Sequence, residues 1–410
     1  MTDILSMKNQ KIELLAPAGN MEKLQTAFHF GADAVYLAGK RYGLRAFADN
    51  FSDDEIAKAC AYAHERGKKV YVTLNIYARD FDFVELGDYL KVLEKAGVDA
   101  VLVSDVGVFD FVKENSSLPI HISTQANTTN SYAVKHWREA GAERVVLARE
   151  LPLSEIAEIH SRCPDVELEA FVHGAMCISY SGRCLMSNYL TNRDGNRGEC
   201  VQACRWQWEV KEVSRSDAMP VIEDERGTYI FNSKDMNMLA HLPKLIEAGV
   251  VSFKIEGRMK SAFYVATVVA SYRRALDAIQ NGRFADELIS ELNAELDKAS
   301  HREYTTGFYL NEEESRQYYE SSKAVEEYKF IAVIRDMGVE KALIEQRNKF
   351  VVGDTLEILS ANEYSGKTFV VEYAKDDKGA DVTVCNKVKQ LLTINCPYPL
   401  QPGDILRKKL

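Results

Sequence analysis

The chain has 410 residues, 46% of them apolar, enough to bury one large core and a smaller second one. Its net charge of −10 excludes a surface built throughout for nucleic acid and leaves room for a local basic patch only. No run approaches the roughly 18 uninterrupted apolar residues of a membrane span, and the opening MTDILSMKNQ lacks the apolar region of an export signal, so the expectation is a soluble cytoplasmic protein with no membrane contact and reduced thiols.

In chain order, eight short apolar runs follow one another: IELLAPAG, FGADAVYLAG, KKVYVTLN, AGVDAVLVSD, LPIHISTQA, AGAERVVLARE, ELEAFVHG and AGVVSFKIEGR. They are near-continuously apolar, which is how a strand reads when a parallel sheet buries both its faces. Several open on a glycine that ends the preceding helix. Helical periodicity predicts helices over 21–30, 53–66, 83–96, 131–140 and 153–161, the second with Ser52 as N-cap ahead of acidic residues. Eight such units predict a closed, TIM-like (β/α)8 barrel. An open doubly wound sheet is the alternative, without a GxGxxG to support a dinucleotide site. An insertion of about 174–248 separates strands seven and eight, and a closing helix over 261–281 is followed by a second through Lys298. After the charged stretch EEESRQYYESSKAVEE, five or six β-rich runs predict a small C-terminal β-barrel domain, giving domains 1–325 and 326–410.

A barrel carries its site at the strand C-termini. Those ends read Pro17, Gly19, Gly39, Asn75, Asp105, Ser123 to Gln125, Arg149, Glu150, His173, Lys254, Glu256 and Arg258, a polar ring. Arg149, Lys254 and Arg258 are candidate holders of an anionic small molecule, or else strand-end ion pairs to Glu150 and Glu256. Period-two alternation places Glu169 on one face with Phe171 and His173.

Above that ring, four of the eight cysteines crowd into one stretch: Cys177, Cys184, Cys200 and Cys204. A disulfide pair does not suit a reducing compartment. Zinc takes four thiolates but prefers close pairs, and only Cys200 and Cys204, with three residues between them, come near that. An iron-sulfur cluster tolerates the irregular spacing, so spacing leaves both metals open. Cys60, Cys163, Cys385 and Cys396 sit in apolar contexts and read as buried small hydrophobes. In the same insertion Arg183, Arg193, Arg197 and Arg205 mix with Tyr180, Tyr189 and Trp206, a combination that suits a splayed-out RNA base. Arg407, Lys408 and Lys409 could add phosphate contacts or form a solvated tail. HExxH and GxSxG are absent; a cysteine hydrolase would need a thiolate with a histidine, and Cys177 lies four residues from His173.

The pattern Glu169, Phe171, Gly174, Ala175, Cys177, Gly182, Cys184, Met186, Ser187 resembles the signature of the collagenase-like peptidase family, peptidase U family 32. ELLAPAG and HREYTTGFY are also similar to that family, so the resemblance spans nearly the whole chain. Its length and single C-terminal β domain are most similar to the tRNA uridine 5-hydroxylation branch. The resemblance implies a 4Fe-4S cluster on Cys177 and Cys184, with Cys200 and Cys204 as remaining ligands, zinc being the alternative metal. It implies prephenate as a required metabolite and tRNA as substrate. His173, Glu169 and Arg149 are the candidate catalytic residues. A peptidase, and a cluster-carrying accessory subunit with a protein partner, are the alternatives.

Overall fold

The computed structural model describes residues 12–43, 49–206, 233–310 and 325–410, with a short hairpin of β8 (Glu223–Asp224) and β9 (Gly227–Thr228). The opening MTDILSMKNQ and most of the charged connector before residue 325 lie outside the described residues.

Eight strands form the barrel: β1 (Glu13–Pro17), β2 (Ala34–Leu37), β3 (Lys69–Leu74), β4 (Ala100–Val103), β5 (Ile120–Ile122), β6 (Arg144–Val146), β7 (Glu167–Ala175) and β11 (Val250–Ile255). Neighbours pair in parallel in chain order, and β11 bridges β7 to β1, which closes the ring. Outside lie α1 (Met21–His29), α2 (Asp53–His64), α3 (Leu86–Ala96), α4 (Val106–Asn115), α5 (Ser131–Ala140) and α6 (Leu153–Arg162). Ser52 starts α2 through a full capping box, accepting from Glu55 N while the Glu55 carboxylate accepts from Ser52 N. Gly97 ends α3 in the left-handed region at φ 80°, open to a residue without Cβ. The run before α4 carries no strong helical period, but Asp105 caps that helix by accepting from Val108 N at 3.0 Å. Its carboxylate therefore serves the helix rather than the mouth.

The insertion contains α7 (Met186–Thr191) and returns as β10 (Asp235–Asn237), which pairs antiparallel with the end of β7. After β10 come α8 (Leu242–Glu247) and β11, then α9 (Ala262–Gln280), α10 (Asp286–Leu296) and β12 (Tyr304–Thr305), which pairs with β10. No helix among the described residues is long and apolar enough to cross a membrane.

The C-terminal unit holds β13 (Tyr328–Gly338), β14 (Lys341–Gln346), β15 (Phe350–Val351), β16 (Thr355–Leu359), β17 (Thr368–Val370), β18 (Ala374–Lys375), β19 (Val384–Cys385), β20 (Leu391–Asn395) and β21 (Ile405–Lys409). Seven of them form one antiparallel half-barrel in the order β17-β16-β21-β13-β14-β20-β18, and β15 pairs with β19. β20, LLTIN, is a strand the sequence reading passes over.

Arg407 corrects an expectation. It is fully buried, and its guanidinium clamps Glu295 of α10 to Glu357 of β16, so it is no RNA contact. Lys408 is likewise engaged, by Asp354 at 2.6 Å. Lys298 to Glu357 at 2.6 Å and His29 to Asp404 at 2.8 Å complete the seam with the barrel. Burial pushes the Glu357 carboxyl up, but Arg407 and Lys298 outweigh it and hold it below the usual range. Its contribution is therefore full above the unfolded value of about 4.3 and is lost as pH falls through the lower folded value. Arg407→Ala leaves Glu295 and Glu357 with Lys298 as their shared cation and is expected to cost about 3 kcal/mol. In calorimetry this variant should show the C-terminal unit melting ahead of the barrel at neutral pH, and the unaltered protein should approach that behaviour only in acid.

Candidate active site at the barrel mouth and its cysteine cap

The barrel interior is polar at its base. Glu13, Arg144 and Glu167 open β1, β6 and β7, at the end away from the mouth. Arg144, 2% exposed, bonds Glu13, Glu167 at 2.6 Å, and Glu169 and Ser252 at 3.2 Å. Tyr71 donates to Glu13 at 2.7 Å, and Ser252 to Glu13 at 2.9 Å. Lys254 donates to Glu169 at 2.7 Å. Glu169 is fully buried; desolvation raises its carboxyl, but Lys254 and Arg144 outweigh this and keep it ionised. His121, packed edge-on to Tyr71, is pushed down to about 3 by burial and by Arg144, and stays neutral.

This network revises two expected roles. Glu169 is consumed by Lys254, Arg144 and Ser252 and has no open face for catalysis. Lys254 is its counter-ion, so it neither pairs with Glu256 nor stands free for an anion. Glu13, Arg144, Tyr71 and Ser252 were missed, because only pairing across the barrel reveals them.

His173 is also displaced. The register of β7 against β11 runs Phe171↔Lys254 and then His173↔Ile255, so two residues of β7 oppose one of β11. That bulge breaks the alternation. Instead of sharing a face with Glu169, His173 turns toward α9, enclosed by Tyr264, Tyr272 and Tyr304, with Nδ1 3.4 Å from the Tyr272 hydroxyl. Burial, with His301 and Lys260, brings it to about 3. Cys177 is exposed in the cap, while His173 is 1% exposed behind the sheet, so the thiol–imidazole pair of a cysteine hydrolase is not formed.

Of the expected ring, Arg149 does stand at the mouth. Its guanidinium lies 4.0 Å over the Phe171 ring and donates to the Ala175 carbonyl at 2.9 Å, and its buried Nε has no partner. Beside it Glu150 is half-buried, which raises its carboxyl. Asn75 Oδ1, Gln125 Oε1 and the Tyr77 hydroxyl are also buried without partners, and such atoms call for a polar ligand or water. Arg258 is buried at the end of β11, its carbonyl accepting from Lys23 at 3.3 Å.

The cysteine-bearing segment caps this mouth. Asn127 reaches the Ser181 carbonyl at 3.1 Å, and Arg197 donates to the Tyr77 carbonyl at 2.7 Å and forks onto Asp82 at 2.9 Å. Asp82 is held below the usual carboxylate range chiefly by that guanidinium. Arg197 thus fastens the cap and leaves the set of arginines expected to meet RNA. Gly182 sits on the seam at φ 75°, where a Cβ would come within 3.1 Å of both Gln125 and Tyr77. Tyr180, Tyr189 and Trp206 are exposed on the cap, as the sequence suggests; the Arg205 side chain lies outside the described residues.

Within the cap, Ser187 is 3% exposed and ties three strands of chain. It donates to the Arg193 carbonyl at 2.8 Å and accepts from Val201 N at 3.2 Å, and Asn196 holds the Cys184 carbonyl at 3.3 Å. Cys184 and Cys200 are thereby brought onto one small scaffold, and Gln202 N already donates to Cys200 Sγ at 3.4 Å. All four cap thiols are exposed or half-exposed, whereas Cys60, Cys163, Cys385 and Cys396 are buried. Burial pushes Cys60 up to about 12 and Cys385 up to about 11, which makes them inert. The donor chemistry of the cap fits a thiolate-bound centre. The arrangement is open: among the described residues no three His, Cys, Asp or Glu side chains are gathered as a metal-holding group. Ser187→Ala removes the stitch and is expected to cost about 1–3 kcal/mol locally, seen as faster proteolysis within the cap with an unchanged barrel.

A family model described as Peptidase family U32 matches residues 19–319, and one described as Peptidase family U32 C-terminal domain matches 326–407. The chain belongs to peptidase family U32. It is 39% identical over 404 residues to "tRNA hydroxylation protein P1" of Bacillus subtilis, covering 97% of this chain and 95% of that one. It is 37% identical over 413 residues to "tRNA hydroxylation protein P" of Escherichia coli, covering 90% of each. An "uncharacterized protease" of Methanocaldococcus jannaschii is 38% identical over 359 residues, covering 85% of this chain and 86% of that one. For this U32 chain the cap and the mouth beneath it are the candidate site.

Proposed function

We propose that the protein modifies RNA: it hydroxylates carbon five of the tRNA wobble uridine without molecular oxygen, using a four-iron cluster held by Cys177, Cys184, Cys200 and Cys204 and requiring prephenate. The observation that carries this reading is similarity along nearly the whole length of two proteins named for tRNA hydroxylation. The cap's accessible thiols support it, since thiolates are the cluster's ligands. When bound, the cluster supplies electron transfer or Lewis-acid polarisation. Arg149, braced on Phe171 and the Ala175 carbonyl with its buried Nε unpartnered, suits a carboxylate of the small molecule. The exposed Tyr180, Tyr189 and Trp206 offer stacking surfaces on the cap.

The test is nucleoside mass spectrometry on tRNA from a deletion strain. Loss of 5-hydroxyuridine derivatives, restored by the plasmid-borne gene, is expected; an unchanged profile in a strain with no second copy contradicts the reading.

A further inference from the structure

Beside the cap lies a groove that neither the cysteines nor the base of the barrel explains. It has a volume of about 750 Å³ and is lined by residues 40–43, 49 and 50 after β2 and by Ile76, Phe81, Asp82, Val84 and Glu85 after β3, with Arg197 of the cap along one side. That size lies within the range of small-molecule sites and exceeds what one nucleotide needs.

Three features set its chemistry. Phe81 is 62% exposed and Val84 81% exposed, so two large apolar side chains face solvent across one turn. One face of Phe81 lies 5.3 Å from the Arg197 guanidinium, and Arg197 is itself locked by two bonds to Asp82. The ring is therefore backed by that guanidinium, and most of its surface is open to solvent. The charges of the described lining balance, with Lys40, Arg41 and Arg197 against Asp49, Asp82 and Glu85; Asp82 is taken by Arg197, and Arg41 is shared between Asp53 at 2.9 Å and Glu85 at 3.7 Å. Lys40, exposed at the rim, makes no ion pair within 4 Å among the described residues.

We propose that this groove binds an unpaired nucleotide flanking the one that is modified, with its base stacked on the open face of Phe81 and its phosphate against Lys40. The inference rests on the RNA reading above and adds to it a place and two residues. A rigid aromatic face suits any base, because every base has a π surface. A near-neutral wall suits base and ribose, and the exposed ammonium of Lys40 at the rim suits one phosphate. The groove is lined by Lys40 and Ile76, which follow β2 and β3 at the mouth end of the barrel, so its occupant adjoins whatever enters the mouth. Phe81 is a positioning residue in this account.

The test uses the full chain, purified anaerobically, and an unmodified anticodon stem-loop transcript with 2-aminopurine placed in turn at each loop position. Quenching is expected at one position, Phe81→Ala should weaken binding on the order of tenfold and abolish that quenching, and Phe81→Trp should restore both. Lys40→Ala should lower the salt dependence by about one counter-ion. Because both side chains are exposed, the variants are expected to fold. Binding by Phe81→Ala equal to that of the unaltered protein, with quenching retained, overturns the groove while leaving the RNA reading intact. Failure of the unaltered protein to bind any RNA overturns both.

Discussion

Replacing Cys184 with serine is expected to bring 5-hydroxyuridine derivatives in tRNA to the level of the deletion strain while leaving thermal unfolding of the barrel unchanged. The same holds for Cys177, Cys200 and Cys204, because a four-thiolate centre fails when any ligand is lost. The structural reason for unchanged stability is their exposure: none of the four contributes to the barrel core. Cys60→Ala is the control. It removes a fully buried thiol between helix and sheet, so it should lower stability modestly and leave the modification in place. Nucleoside mass spectrometry on complemented strains reads both. Full modification with all four single variants would remove the cap cysteines from the chemistry.

The second large effect lies at the opposite end of the barrel. Arg144→Met is expected to destabilise the protein by about 3–5 kcal/mol, measured as a lower urea midpoint. The methionine fills much of the space but leaves Glu13 and Glu169 facing each other through Ser252 with Lys254 alone to neutralise them. Two carboxylates out of water with one cation cannot both stay ionised cheaply, so the loss should shrink when Glu13 is also changed to glutamine. A midpoint equal to that of the unaltered protein would mean the network is idle. Since Glu13 and Arg144 open their strands at the end away from the mouth, the loss is expected to act on folding and to leave any surviving folded protein competent.

The barrel was legible in the sequence because several helices carry recognisable caps and most strands are near-continuous apolar runs. Gly97 and the Ser52–Glu55 pair show that local chemistry at work. What local chemistry does not contain is the pairing of residues far apart in the chain. Glu13 and Arg144 lie 131 residues apart, and nothing in ELLAPAG or ERVVLARE announces that they meet. The same blindness turned Arg407 into an apparent solvated tail, although two carboxylates bury it.

At the site, the places of the four cysteines after β7 and of Arg149 at the mouth were readable from the sequence. His173 was misplaced because strict alternation was assumed through Val172, where one extra residue in β7 flips the side chain to the helix layer. Strand β10 was unreadable because its three residues, Asp235–Asn237, carry no pattern of their own and are held by the end of β7. Phe81 passed unnoticed as an ordinary apolar residue ahead of α3; only its exposure distinguishes it.

The account depends most on the cap thiols sharing one inorganic centre, and metal analysis of anaerobically purified protein tests that directly. The expected result is about four iron and four acid-labile sulfide per chain, both lost when Cys177 and Cys184 are replaced together. Stoichiometric zinc in place of iron, or iron that survives that double replacement, would contradict it.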